Sequence, residues 1–232
     1  MNKLSVVIPV FNEKNTIKEI VRQVEAVRLP LEKEIIIIDD CSTDGTRDIL
    51  KGFDKSKYKI IFRERNEGKG AALREGFLEA TGDIVIIQDA DLEYDPNDYL
   101  KIIEPILKGR GDVVYGSSFI TGDPKRVLYF WHFLGNAFIT KLSNLLSGLT
   151  FSDIETGYKA FRKEVVNSFK EKLKSKRFGI EPEITARLAK GRWRVYEIGI
   201  SYYGRTYEEG KKINWRDGFA AIWHVIKFNI FS

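Results

Sequence analysis

The chain has little cysteine and little histidine: one of the former, Cys41, and two of the latter in 232 residues. A lone cysteine excludes an intrachain disulfide and suits a reducing, cytoplasmic setting. No histidine stands near Cys41 in the sequence, which argues against a Cys–His nucleophile. There is no uninterrupted apolar run of about 18 residues, so no membrane-spanning helix is expected. Only Met1-Asn2-Lys3 precedes the first apolar run, which leaves no room for a signal peptide. A dense Lys/Arg stripe is also missing. The net charge of +5 therefore does not point to nucleic acid, and no nucleic-acid partner is expected. That mild basic bias suits phosphate-bearing ligands or an anionic membrane surface. Internal repeats and low-complexity linkers are absent too, so the chain reads as one α/β domain with a sizeable core.

The most informative segment is Ile84-Val85-Ile86-Ile87-Gln88-Asp89-Ala90-Asp91-Leu92-Glu93. Four consecutive aliphatic residues read as a strand buried on both faces. Asp89 and Asp91 then fall at its carboxyl end, where open α/β sheets place their ligands. Two carboxylates on one short turn suit a hard divalent cation, Mg²⁺ or Mn²⁺, with positions left open for phosphate oxygens. The alternative is a capped strand end or an Asp-rich turn before Pro96.

Other strands precede and follow it. Leu4–Val10, Ile35–Ile38, Lys59–Phe62 and Val113–Tyr115 read as strands. Ile17, Ile20, Val21, Val24 and Val27 recur at helical spacing, and helices are expected at Gly68–Ala80 and Asp98–Leu107. Strand and helix alternate, which implies a mostly parallel sheet flanked by helices. Acid-bearing loops follow Val10, Ile38 and Gln88, and their convergence on one sheet edge would make a site. The second half is less regular. An aromatic stretch (Tyr129, Phe130, Trp131, Phe133, Phe138) is helical in pattern but interrupted by Gly135 and Gly148. A helix is expected at Glu181–Lys190, with Pro182 in its first turn, and a late strand at Arg194–Tyr203. In the tail, Trp215, Phe219, Ile222, Trp223, Ile226 and Ile230 share one helical face, with Lys211, Lys212, Arg216 and Lys227 elsewhere.

Four segments form an ordered set: Val6 to Glu13 (VVIPVFNE), Ile38 to Thr46 (IDDCSTDGT), Asn66-Glu67-Gly68-Lys69-Gly70 and Asp89-Ala90-Asp91. Together they resemble the family 2 glycosyltransferases, which have the GT-A fold, a nucleotide-binding α/β sheet with an Asp-x-Asp metal motif. Asp153 to Arg162 (DIETGYKAFR), Phe178 to Glu183 (FGIEPE) and Ile200 to Arg205 (ISYYGR) resemble its polyprenyl-phosphate branch, which includes dolichyl-phosphate mannose and glucose synthases. The resemblance runs from about residue 4 to about 212. It sets residues 1–212 as the GT-A domain and leaves 213–232 as an amphipathic C-terminal helix suited to a membrane interface.

The resemblance implies roles for particular residues. Pro9, Phe11, Glu13, Ile38, Asp40, Lys69, Asp89, Ala90 and Asp91 would form the nucleotide-sugar site. For Asp40 the alternative is a loop-capping acid, and for Lys69 a solvated lysine. The Gly68-Lys69-Gly70 segment lacks the residue order of G-x-x-x-x-G-K-[ST], and it fails G-x-G-x-x-G because Leu73 stands where the last small residue belongs. A metal held by Asp89 and Asp91 would neutralise charge on the departing nucleoside diphosphate, with Glu93 a direct or water-mediated ligand. Asp153 would stand near the reacting centre, its alternative being an N-cap or a salt bridge. Arg126, Arg162 and Arg205 are the candidates to hold an acceptor phosphate, since the arginine fork binds two oxygens at once; a surface arginine is the alternative for each. Related synthases often carry Gly-Ser-Arg where this chain has Gly116-Ser117-Ser118, so one arginine of that set is absent.

These readings converge on a metal-dependent, inverting hexosyltransferase. It would move mannose or glucose from GDP-mannose or UDP-glucose to a polyprenyl phosphate, and Asp89, Asp91, Asp153 and Arg205 would carry the chemistry. It would be peripheral at the inner face of the cell membrane, through its own aromatic surfaces or an anchoring partner subunit. A second reading is transfer to a saccharide or protein hydroxyl, which needs a general base such as Asp153 or Glu183. A third is an inactive nucleotide-sugar-binding subunit.

Overall fold

The computed structural model describes residues 1–120, 126–127, 129–206, 208 and 215–231. The elements, in chain order, are β1 (Lys3–Val10), α1 (Ile17–Ala26), β2 (Glu32–Asp39), α2 (Thr46–Lys51), β3 (Tyr58–Phe62), α3 (Lys69–Glu79), β4 (Ile84–Ile87) and α4 (Tyr99–Leu107). The second half adds β5 (Val113–Ser117), α5 (Phe130–Ser147), β6 (Lys159–Arg162), α6 (Lys163–Phe169), α7 (Ile180–Lys190), β7 (Val195–Gly199) and α8 (Trp215–Ile230). The strands form one seven-stranded sheet in the order β3-β2-β1-β4-β6-β5-β7. All pairings are parallel except those of β6, which runs antiparallel to both β4 and β5.

The unbroken aliphatic runs have a physical reason. Successive side chains of a strand point to opposite faces, so a strand covered on both sides has no polar face. On one face Val7, Ile36, Ile38, Val85 and Ile87 pack with Phe77 of α3, Phe169 of α6 and Ile184 of α7. On the other, Val6, Ile8, Ile35, Ile37, Ile84 and Ile86 pack with residues of α1 and α4 such as Ile20 and Ile103. Burying one such side chain contributes about 1.5–3 kcal/mol.

Several expectations need correcting. A short helix not expected from the sequence, α2, follows the loop after β2, and Asp44 Oδ1 accepts from the Thr46 amide at its start at 2.9 Å. Gly135 does not interrupt the aromatic stretch; α5 runs through it and ends at Gly148, whose left-handed φ of 73° closes the helix. Lys159–Arg162, read only as part of a motif, is a central strand. The late strand is shorter than expected, with Tyr202 making only an isolated bridge to Tyr94. The tail does form a helix, α8, which packs on α5 and α7 with Ala221, Val225 and Phe228 buried. Phe219, Trp223 and Ile230 stay exposed. The 212/213 boundary, Lys211, Lys212 and the side chains of Trp215 and Arg216 lie outside the described residues.

Candidate active site

The order of the sheet reverses beside β1, which has β2 on one side and β4 on the other. In an open α/β sheet that reversal leaves a crevice beyond the carboxyl ends of the strands. Here it opens into a cavity of about 1480 Å³. The end of β1 supplies Pro9 to its wall, and the loops after β1, β2 and β4 supply Phe11, Glu13, Asp40, Asp89, Ala90, Asp91 and Glu93. Lys69, Arg126, Asp153 and Arg205 line it as well. Ile38 does not: it is fully buried within β2, in the core beneath the site. Its branched side chain points to the sheet face, and only the loop beyond it reaches the cavity.

Asp40 acts structurally as a loop cap. Its Oδ2 accepts from the Gly68 amide at 2.6 Å, and its Oδ1 accepts from Arg63 Nη1 at 2.6 Å. This ties the β2 tip to the start of α3. Gly68 stands there with φ of +94°, and a Cβ on it would meet the Lys176 carbonyl at 2.6 Å, so only glycine fits.

A chain of alternating charges runs behind the Asp-x-Asp turn. Lys69 Nζ lies 2.8 Å from Asp89 Oδ2 and 3.2 Å from Glu181 Oε1. Glu181 Oε2 in turn contacts Lys159 Nζ, which is fully buried in β6 and also donates to the carbonyls of Ile154 and Thr156. Burial opposes the charge on Lys69, but Asp89 and Glu181 outweigh it and hold its pKa above the ordinary lysine value. Lys69 is thus an ion-pair partner of Asp89 and not a solvated lysine.

A second set centres on Arg205. Its guanidinium lies 3.1 Å from Asp91 Oδ2, 3.4 Å from Glu93 Oε1 and 3.6 Å from Glu13 Oε2. Glu93 is fully engaged: Oε1 accepts from the Arg205 amide at 2.9 Å and Oε2 from the Tyr202 hydroxyl at 2.8 Å. These bonds hold the segment after β7 over the Asp-x-Asp turn, where Asp89 and Asp91, themselves paired with Lys69 and Arg205, present their carboxylates to the cavity. Burial, followed by the charges of Asp89 and Glu93, pushes the Asp91 carboxyl up to about 7 despite Arg205. Three carboxylates, those of Asp91, Glu93 and Glu13, face the one guanidinium of Arg205, so negative charge is in excess here. Among the described residues no three acidic, histidine or cysteine side chains form a closed metal cage. An open pair of oxygen donors with surplus negative charge fits Mg²⁺ or Mn²⁺ completed by oxygens from outside the protein.

Asp153 is buried and neither caps a helix nor forms an ion pair at 4 Å among the described contacts; its carboxylate accepts from Asn136 Nδ2 at 3.1 Å and Ser118 Oγ at 3.4 Å. Burial raises its pKa against the effect of Asn136. Through Asn136 the site is joined to α5, whose Phe130, Trp131, Phe133 and Phe138 line the same cavity.

Two of the three candidate arginines converge. The Arg126 amide donates to the Tyr202 carbonyl at 2.9 Å and its Nη1 to the Gly204 carbonyl at 3.2 Å, which sets it beside the Arg205 segment. Arg162 is elsewhere. Because β6 runs antiparallel to β4, Arg162 pairs with Ile84 at the start of that strand and contacts Asp112 and Glu164 at 3.4 Å. Arg162 is therefore removed from the acceptor set. Glu183 is also outside the cavity: it is fully buried, accepting from the amides of Lys174 and Ser175 and from Arg187. Tyr94, Asn136, Glu155 and Lys159 were not singled out from the sequence. Only a lysine amid Tyr158, Ala160 and Phe161 signalled a buried charge.

Comparison with known proteins agrees with this geometry. Residues 5–169 match the family described as glycosyl transferase family 2. A dolichol-phosphate mannosyltransferase of Pyrococcus furiosus is 32% identical over 224 residues, covering 91% of this chain and 60% of the relative. A UDP-N-acetylglucosamine–dolichyl-phosphate N-acetylglucosaminyltransferase of Methanococcus voltae is 26% identical over 237 residues, covering 95% and 93%. Among solved structures, glucosyl-3-phosphoglycerate synthase of Mycobacterium tuberculosis, in complex with Mn²⁺, UDP and phosphoglyceric acid, superimposes with a TM-score of 0.71 at 21% identity. That match covers all of this chain and 80% of the other, and it establishes the GT-A fold. With the sheet, the acid-bearing strand tips and the family match in agreement, the chain belongs to glycosyl transferase family 2.

Proposed function

We propose that the protein transfers a hexose from a nucleoside diphosphate sugar, GDP-mannose or UDP-glucose, to a polyprenyl phosphate, with inversion at the anomeric carbon. One observation carries this reading. A single cavity joins the carboxylates of Asp89 and Asp91 to an aromatic wall on α5 and α8, so a charged reactant and an apolar chain share one site. The relatives named above as acting on dolichyl phosphate support it.

The residues divide the work. Pro9, Phe11, Glu13 and Asp40 form the nucleotide end of the cavity. A divalent ion held by Asp89 and Asp91 would take up the negative charge that develops on the leaving diphosphate. Arg205 and Arg126 orient the acceptor phosphate. One of its oxygens attacks the anomeric carbon as the bond to the diphosphate breaks, and a phosphate that is already anionic needs no base. Asp153, held by Asn136 and Ser118, faces the same space. Exposed Val127, Phe130 and Trp131 would meet the lipid at the cytoplasmic membrane surface, alone or with an anchoring partner. Among the described residues no helix is long and apolar enough to cross a membrane. For transfer to a hydroxyl, Glu183 is no longer a base candidate because it lies outside the cavity.

Incubation with labelled donor, polyprenyl phosphate and Mg²⁺ or Mn²⁺ is expected to move label into the organic phase. Label appearing only in water-soluble glycan would overturn the acceptor. Donor binding without turnover on either acceptor class would favour the inactive subunit. Asp91→Asn should lower turnover by about 10³-fold, and chelation should arrest the wild-type enzyme until metal is restored. Full activity in either case would refute the metal role.

A further inference from the structure

The loop 153–157 is pinned at both ends, yet one of its side chains has an atom left without a partner. At its start, the amides of Asp153 and Ile154 donate to Glu197 Oε1 at 3.0 Å and Thr140 Oγ1 at 3.3 Å. At its end, the Gly157 amide donates to the Tyr94 hydroxyl at 3.0 Å, and Lys159 Nζ donates to the carbonyls of Ile154 and Thr156. Between these anchors Glu155 stands half-buried in the cavity wall. Its Oε1 is shielded from solvent and accepts no hydrogen bond among the described residues.

The neighbouring charges are committed elsewhere. Asp153 is held by Asn136 and Ser118, while Lys69 and Lys159 both turn to Glu181. Burial, and next the charge of Glu181, push the Glu155 carboxyl up to about 8, so it carries a proton at neutral pH. An unsatisfied buried oxygen on a rigid loop is costly unless something from outside the chain meets it. Here the loop also abuts the Asp-x-Asp turn: the Gly157 backbone packs directly on the Asp89 carboxylate.

We propose that Glu155 reads the transferred sugar, its carboxyl hydrogen-bonding a hydroxyl of the hexose whose diphosphate lies at Asp89 and Asp91. This rests on the nucleotide-sugar reading above and deepens it. A protonated carboxyl both donates and accepts, which matches a pair of adjacent sugar hydroxyls. A site built to hydrogen-bond a hydroxyl discriminates strongly against an isomer that misplaces it.

Titration calorimetry in the presence of Mn²⁺, with UDP, UDP-glucose, GDP and GDP-mannose as probes, tests this on wild-type, Glu155→Ala and Glu155→Gln proteins. Glu155→Ala should bind the preferred nucleotide sugar about tenfold more weakly while binding its nucleoside diphosphate unchanged. Glu155→Gln should keep most of the affinity, because its amide also donates and accepts. The preference for UDP-glucose over UDP-galactose, or for GDP-mannose over GDP-glucose, should shrink in Glu155→Ala. Equal loss for sugar and diphosphate would make Glu155 a structural residue and overturn the proposal, as would no loss at all. Normal donor affinity in Glu155→Gln with turnover abolished would make it a base instead. If the wild type binds none of the four probes, the nucleotide-sugar reading itself falls; if it binds them and Glu155 changes nothing, only this inference does.

Discussion

The backbone of Gly157 lies against the carboxylate of Asp89. A methyl group on residue 157 would sit 2.3 Å from Asp89 Oδ2 and 2.8 Å from Lys69 Nζ. The Asp-x-Asp turn is thus positioned from two sides, by the Lys69 ion pair and by a loop that belongs to the second half of the chain. Gly157→Ala should displace Asp89 and lower kcat by about 100-fold, since displacement of a reacting group by about 1 Å is that costly. The urea midpoint should change little, because the clash is with side-chain ends. Unchanged kcat would show that this contact does not set the site.

The placement of the arginines predicts a divided response. Arg126→Ala and Arg205→Ala should each raise KM for the lipid phosphate at least about tenfold, the effect of losing a charge-assisted hydrogen bond. Arg162→Ala, at the opposite edge of the sheet, should leave KM unchanged. Steady-state kinetics with varied acceptor separates the two groups, and a strong effect at Arg162 would contradict the strand direction.

Asp112 gives a stability prediction with a defined sign. Hydrogen bonds from Arg194 are the largest influence holding its carboxyl at about 2, below the ordinary value of 3.8. A depressed carboxylate adds stability above its unfolded value and loses it as pH falls through the folded one. Wild-type stability in urea should therefore drop more steeply between pH 3.8 and pH 2 than that of Asp112→Asn. Parallel curves for the two proteins would remove Asp112 from the acid transition.

The aromatic surface makes a membrane prediction. Trp131 on α5 is 77% exposed and Trp223 on α8 is 57% exposed, although the two helices pack together. The double variant Trp131→Ser, Trp223→Ser should sediment with anionic vesicles about tenfold less than the wild type, through lost apolar burial at the headgroup level. Equal sedimentation would assign this face to protein contacts instead.

The sequence by itself determined the parallel strands β1 to β4 and the three acid-bearing loops at their tips. Runs such as Ile35–Ile38 and Ile84–Ile87 have no polar face, so they fit only a strand covered on both sides, and the polar residues that follow must lie at the strand tip. Only the tertiary structure decided what those acids touch. The partners of Glu93 are Tyr202, 109 residues away, and the amide of Arg205, 112 residues away; no local pattern encodes such pairs. Strand direction was equally hidden. Lys159–Arg162 is too short and too charged to announce a central strand, and its antiparallel run carries Lys159 in behind the site and Arg162 to the opposite edge. Periodicity reports which face of an element is buried, whereas partnership between distant side chains depends on how the elements pack.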